Sequence, residues 1–317
     1  MLTSCLSFVS LYGSFLRRSL TASGLSSQSI DVDSHTTIHF WGPKPSSSPA
    51  NSPSENNDRR KPSLLLIHGF GPHGVWQWRQ QVSFLAPNFD VYIPDLVFFG
   101  ESTTKSSERS EIFQANAIAK LMEKLGVKKY SVVGTSYGGF VAYRLAEMWP
   151  ERVEKVVIAS SGVNMRPCDN GELLKRANVE KIEELMLPET AGQLRTLMRL
   201  AAYNFNRVYM PDFFLNDFID KLYCENRKEK LELLKGLALG HHDMPKISPL
   251  QQEVLIIWGD QDNIFLLDMA KELKEMLGKN ATLKVMKKAS HVPQIEQAKN
   301  FNKILYDFLC VSSYNRN

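Results

Sequence analysis

Nowhere in its 317 residues does the chain hold an apolar run near the roughly 20 residues that a helix needs to span a bilayer. Cysteine is scarce. Cys5, Cys168, Cys224 and Cys310 lie far apart, with neither metal-ligand spacing nor the density of a disulfide framework, which fits a reducing compartment. A strong charge of one sign is also missing. The 38 basic and 34 acidic residues leave only +4, spread along the chain, so nothing points to a nucleic-acid partner. Acids are absent from the N-terminus: none precedes Asp31, whereas Arg17 and Arg18 stand together. No internal repeat is evident. What remains is ordinary globular composition, 43% hydrophobic and 23% charged, enough for one large domain or one domain with an insertion.

The opening segment, "MLTSCLSFVSLYGSFLRRSLTASGLSS", supports two readings. Leu2, Cys5, Leu6, Val9, Tyr12, Leu16 and Leu20 fall at helical spacing, with Phe8 and Leu11 off the stripe. Such a helix would lie on the rest of the protein or on a membrane through residues 2–20. The Ser-rich, Arg-bearing, acid-free composition also suits an organelle transit peptide. A secretory signal fits less well, because the basic pair follows the apolar run. Residues 1–30 are therefore set apart, and the expected location is intracellular, cytoplasmic or peripheral on a membrane, or an organelle.

After a strand-like "TTIHFWGP", residues 44–62 are rich in Ser, Pro and Asn and too poor in apolar residues to pack. Then come "SLLLIHG", "FDVYIPDL", "YSVVGTS", "VEKVVIASS", "EVLIIWGDQD" and "TLKVMKKASH". Most are near-continuous apolar runs, as in a parallel sheet covered on both faces. Helix-like segments alternate with them: "EIFQANAIAKLMEKLG", "GGFVAYRLAEMW", "LDMAKELKEMLG" and "QAKNFNKILYDFL". The alternation predicts an α/β fold. It stops over residues 164–246, where "VEKIEELML", "AGQLRTLMRLAAYNF", "DFFLNDFIDKLY" and "KEKLELLKGLAL" read as an inserted helical cap. The core then divides into residues 31–163 and 247–317.

"SVVGTSYGGF" sets the chemistry. G-x-S-x-G after a strand and before a helix is the nucleophile-elbow context. Gly134 and Gly138 would remove side chains from a sharp corner that lifts Ser136 clear of the backbone, and the helix N-terminus favours negative charge there. The bland alternative is a Gly-rich turn with a solvated serine. A serine hydroxyl needs a base held by an acid, and in this fold class the chain order is Ser, acid, His. His291, in "KKASHVPQIEQ" past the last strand, is the candidate base. Asp260 and Asp262 both follow the penultimate strand. Asp262 lies further from the strand end and has more freedom to turn to His291, with Asp260 the fallback and otherwise a turn former. For an oxyanion, the backbone N–H of Tyr137 and that of Phe70 in "LIHGFGPHG" are the candidate donors. Gly69 and Gly71 let the loop approach the substrate, and His68 orients it. Adjacent His241 and His242 lack the i,i+4 spacing of a helical metal pair, so no metal or cofactor is expected.

With "HGFG", "PDLVFFGES", "GTSYGG", "WGDQD" and "SHVPQIE" in order, residues 63–310 resemble the α/β-hydrolase superfamily. The likeness is to lid-bearing serine hydrolases of the monoacylglycerol-lipase and carbon–carbon-bond-hydrolase type. The resemblance implies an α/β-hydrolase fold, Ser136 as nucleophile, Asp262 as the acid of the G-x-x-D pattern and His291 as base. Phe98 departs from it, standing where many relatives carry glycine, and is expected to narrow the entrance or shift its loop. Ser rather than Asp at the elbow disfavours epoxide hydrolases and haloalkane dehalogenases. Leu185, Met186, Leu187, Leu197, Met198, Met210, Phe213, Phe214 and Phe218 would either pack the cap or line an acyl pocket. The expected activity is cleavage of a carboxylic ester or lipid-like substrate with an apolar acyl part, through an acyl-enzyme. The alternatives are a diketone carbon–carbon hydrolase and a small-molecule receptor that retains the triad.

Overall fold

The computed structural model of the protein describes residues 7–45, 61–205, 210–240 and 247–310. Helix α1 (Phe8–Ala22) starts where the Ser7 hydroxyl accepts Ser10 N–H. Strands β1 (Leu25–Asp31) and β2 (Thr36–Pro43) follow as an antiparallel pair. Next come β3 (Ser63–Ile67), the short helices α2 (Gly74–Gln77) and α3 (Val82–Leu85), β4 (Asp90–Pro94) and the two-residue β5 (Thr103–Thr104). Helix α4 (Glu111–Lys124) is capped by Ser110, whose hydroxyl accepts Phe113 N–H. Strand β6 (Tyr130–Thr135), α5 (Tyr137–Met148) and β7 (Val153–Ala159) complete the first half.

Among the described residues five helices then intervene: α6 (Pro167–Ala177), α7 (Ile182–Met186), α8 (Ala191–Ala201), α9 (Asp212–Leu222) and α10 (Arg227–Lys235). The chain returns to the sheet with β8 (Glu253–Gly259), α11 (Leu267–Leu277) and β9 (Ala281–Met286), and ends in α12 (Pro293–Glu296) and α13 (Ala298–Cys310).

Among the described residues the strands form one nine-stranded sheet, ordered β1-β2-β4-β3-β6-β7-β8-β9, with β5 on β2. From β4 to β9 every pairing is parallel. Both faces of these strands are covered, which explains their continuous apolar runs. Leu65, Ile67, Val132, Ile158 and Ile256 pack with Ile118 of α4, Val141 of α5 and Leu273 of α11. Their strand neighbours Leu64, Leu66, Val133, Val157 and Ile257 pack on the opposite face with Leu16 of α1, Leu85 of α3 and Phe301 of α13. The period-two alternation of side chains produces this split. The sheet order reverses direction between β3 and β6, and in open α/β sheets the crevice at such a switch point, beyond the strand C-termini, is where ligands bind.

Three features differ from the sequence expectation. Residues 25–30 are not part of a separate N-terminal segment but lie in β1, paired along their length with β2; "LSSQSID" has too few apolar residues to announce a strand. Helix α6 follows Arg166 and was not anticipated, since its exposed face is polar and only Leu173 and Ala177 are buried. The N-terminal stripe holds among the described residues except at one position, with Phe8 and Leu11 exposed off it as expected. Val9, Leu16 and Leu20 are buried against the body of the protein, whereas Tyr12 is 43% exposed. Helix α1 is pinned to α9 by Val9 N–H, which donates to Asp217 Oδ2 at 2.9 Å. Leu2, Cys5 and Leu6, most of the 44–62 segment, and His241 and His242 lie outside the described residues.

Candidate active site

Strand β6 ends at Thr135 and α5 begins at Tyr137, so Ser136 alone makes the turn. Its backbone adopts φ 51° and ψ −121°, a conformation that costs a residue with a Cβ about 1–3 kcal/mol. Surrounding bonds hold it there. Ser136 N–H donates to Ala159 O at 2.9 Å, and Ser161 Oγ donates to Ser136 O at 2.6 Å. The corner also depends on close backbone approach. A Cβ on Gly138 would stand 2.4 Å from Ile67 O and 2.5 Å from His68 O, and one on Gly134 would stand 2.1 Å from Gly138 O. These are backbone atoms and cannot swing aside. Gly138→Ala is therefore expected to destabilise the fold by about 3 kcal/mol or more, lowering Tm by roughly 6 °C or more. A thermal melt indistinguishable from wild type would contradict this packing.

The structure brings Ser136, His291 and Asp262 together. His291 Nε2 lies 3.0 Å from Ser136 Oγ, and His291 Nδ1 lies 3.0 Å from Asp262 Oδ2. The other carboxylate oxygen, Asp262 Oδ1, accepts Ile264 N–H at 2.9 Å and Phe265 N–H at 3.0 Å. A carboxylate only accepts, so His291 Nδ1 carries the proton and Nε2 presents its lone pair to the serine O–H. This is the arrangement by which an imidazole can take a hydroxyl proton. Asp260 does not reach the histidine. Its Oδ1 accepts Lys288 N–H at 2.8 Å, the turn-forming alternative.

Residues that the sequence reading did not single out fasten the His291 loop. Ser290 Oγ lies 2.9 Å from Gln261 O and 3.0 Å from Leu200 O of α8. Ser290 N–H donates to Glu296 Oε2 at 2.7 Å. Burial pushes the Glu296 carboxyl above its usual range, against the pull of the Ser290 and Tyr203 N–H groups. Hydrogen bonding across such sequence distances leaves no local signal.

The opposite wall is the "HGFG" loop. His68 is fully buried. Its Nδ1–H donates to Gly69 O at 2.8 Å and its Nε2 accepts Leu96 N–H at 3.0 Å. Burial pushes its pKa down to about 4, so it is a neutral strut. Gln77, also missed in the sequence, clamps both sides of Gly69: Gly69 N–H donates to Oε1 at 2.7 Å and Nε2 donates to Gly69 O at 3.0 Å. A Cβ on Gly69 would come 2.8 Å from Ser136 Cβ, so only glycine lets the loop lie against the serine. Phe70 follows and lines the same cavity as Ser136. Tyr137 is the first residue of α5, where a backbone N–H has no intrahelical acceptor.

Phe98 does not narrow the entrance. It takes φ 74°, a left-handed conformation that glycine adopts without penalty, and its ring packs in the core under Arg109, 4.4 Å from the guanidinium carbon. It is not among the residues lining the cavity.

That cavity, of about 710 Å³, opens over Ser136 and His291. Met186, Leu197, Met198, Met210, Phe214 and Phe218 line it. Leu185 and Leu187 are instead buried in packing, and Phe213 is 64% exposed. Helix α1 contributes Phe8, Val9 and Tyr12 to the wall, a role its sequence did not suggest. Among the described residues no group of three or more His, Cys, Asp or Glu side chains converges as a metal site would, and no helix is long and apolar enough to cross a membrane.

Comparison with known proteins places these features in a family. A family model described as alpha/beta hydrolase fold matches residues 62–187. Monoacylglycerol lipase ABHD6 of Mus musculus is 30% identical over 264 residues, covering 78% of this chain and 76% of that protein. The 2-hydroxy-6-oxo-6-phenylhexa-2,4-dienoate hydrolase of Burkholderia cepacia is 27% identical over 260 residues, 78% of this chain and 87% of that one. The crystal structure of a membrane phospholipase A superposes with a TM-score of 0.75 at 21% identity, over 95% of this chain and 91% of that chain. At that identity the likeness is one of fold.

Proposed function

Because this chain is a hydrolase of the α/β-hydrolase family, we propose that it cleaves carboxylic esters with an apolar acyl part by way of an acyl-enzyme on Ser136. The observation that carries the proposal is the pair of 3.0 Å contacts linking Ser136 Oγ through His291 to Asp262 beneath a large apolar cavity. Ser136 Oγ attacks the ester carbonyl as His291 Nε2 takes its proton. Asp262 holds the ring and offsets the imidazolium charge. Phe70 N–H and Tyr137 N–H donate to the oxyanion. His291 then returns the proton to the leaving alcohol, and water repeats the sequence to free the acid.

A cavity of about 710 Å³ lies within the range of drug-sized ligand pockets, and its Met and Phe walls adapt to a flexible chain. A monoacylglycerol fits this description. The carbon–carbon hydrolase relative makes a diketone the second reading. Turnover of p-nitrophenyl esters, a monoacylglycerol and a ring-cleavage diketone, measured side by side, tests both. Ester cleavage without diketone cleavage supports the proposal; diketone cleavage alone overturns it.

We further propose that α1 rests on a lipid surface. Leu11 and Phe15 are 55% and 61% exposed, and Phe8 and Phe213, with ring centroids 6.4 Å apart, extend the apolar face toward the cavity. Arg17 and Arg18 are exposed at its end, where they would favour anionic headgroups. Substituting Leu11→Glu and Phe15→Glu together is expected to lower partitioning to phosphatidylserine-containing vesicles at least tenfold. Turnover of a soluble short ester should stay within twofold. Unchanged co-sedimentation would refute the lipid contact.

A further inference from the structure

Behind the loop that carries Phe70 lies a second cavity of about 230 Å³. It is separate from the acyl cavity. The wall between them includes Gly71, where a Cβ would stand 3.0 Å from Tyr223 Oη, and the edge-on contact of Phe70 with Phe99 at 5.3 Å.

The buried negative charge in this chamber already has partners. Asp95 Oδ2 is 2.8 Å from His39 Nδ1, whose ring continues to Ser27 Oγ at 2.8 Å. Asp95 Oδ1 accepts Gly74 N–H at 3.2 Å and faces His73 Nδ1 at 3.5 Å. Burial alone would raise the Asp95 pKa, but His73 and His39 outweigh it and hold the carboxyl well below the usual range.

The buried positive charge has no such partner. Lys230, on α10, lines the chamber and is 4% exposed. Among the described residues its ammonium forms no ion pair and no hydrogen bond; its neighbour is the Phe99 ring, with Nζ 4.9 Å from the centroid. Burial pushes its pKa down to about 8, which leaves it mostly charged at neutral pH. Most of the side chain is buried while its residue lines the chamber, so burial weakens the hydration of the ammonium without supplying a protein acceptor. Arg17 and Lys221 stand on the chamber's rim, likewise without ion pairs among the described residues. The rim acids Glu101 and Glu225 are exposed; Glu225 is near enough for its charge to favour the Lys230 ammonium, without an ion pair between them.

We propose that this chamber binds a small oxyanion, a carboxylate or a phosphate, whose oxygens accept from Lys230 Nζ while Arg17 and Lys221 close over it. An acceptor there completes the hydrogen bonding of the buried ammonium, and charge-assisted bonds of this kind are the stronger ones. The site is independent of the esterase reading, since it shares no residue with Ser136, His291 or Asp262.

The test titrates the full chain with orthophosphate, glycerol 3-phosphate and acetate, at ionic strength held constant with sodium chloride. Thermal shift and calorimetry are the readouts. At least one of these anions should bind saturably and raise Tm by about 4 °C at a hundredfold excess over Kd. The three arms separate a phosphate from a carboxylate site. Lys230→Met should weaken Kd at least tenfold while p-nitrophenyl ester turnover stays within twofold. The rim pair Arg17→Gln with Lys221→Gln should weaken Kd by about threefold or more, and it serves if Lys230→Met does not fold. No saturable binding by any of the three anions, or a Kd unchanged in a folded variant, would overturn the proposal.

Discussion

Replacing Ser136 with alanine is expected to lower ester kcat by about a millionfold, the scale seen when the nucleophile of a serine triad is removed. The fold should survive. Alanine keeps the Cβ and the φ of 51° that the corner already accommodates, and the backbone bonds to Ala159 O and from Ser161 Oγ do not involve the side chain. What is lost is one 3.0 Å contact with His291, about 1 kcal/mol of stability. Kinetics and thermal melts on the same preparation check both halves. A variant with normal Tm and activity within a hundredfold of wild type would remove Ser136 from the reaction.

The second large effect is expected at Asp262. Asp262→Asn should cost about 10⁴ in kcat, for a reason legible in the hydrogen bonds. Oδ1 accepts two backbone N–H groups, from Ile264 and Phe265, so the asparagine must keep its carbonyl oxygen on that side. Its NH₂ then faces His291 Nδ1 across what was a 3.0 Å contact. Nδ1 becomes an acceptor, the ring proton moves to Nε2, and Nε2 can no longer take the proton of Ser136. Asp260→Asn is the control. Its carboxylate accepts Lys288 N–H in a turn, and ester turnover should stay within about twofold. Equal losses at the two positions would contradict the assignment of Asp262.

Much of this architecture was legible in the chain. The continuous apolar runs of β3, β6, β7 and β8 marked a doubly covered sheet, because each strand offers alternate residues to two cores. Ser136, Asp262 and His291 could be singled out because each stands just past a strand end, where the sheet's topology collects loops. What stayed hidden depends on contacts distant in sequence. Gln77 clamps Gly69 from eight residues away, and Ser290 ties the His291 loop to α8, 90 residues earlier. Strand β1 was missed because an edge strand paired on one side needs few apolar residues. The N-terminal helix was visible as a periodic stripe, yet its place against the cavity arises from packing on α9 and α2, which periodicity does not encode. Of the apolar candidates between β7 and β8, composition could not separate Met198, which lines the cavity, from Leu185, which is buried with Leu173 and Ile264.

The proposed acyl-enzyme on Ser136 is tested most directly by covalent capture. The full-length protein would be treated with a fluorophosphonate, digested and mapped by mass spectrometry, with Ser136→Ala treated in parallel. The predicted result is a single adduct on the peptide that carries Ser136, appearing as ester turnover is lost and absent from the variant. An unlabelled Ser136 in protein that still hydrolyses esters, or an adduct at another residue that tracks the loss of turnover, would contradict it.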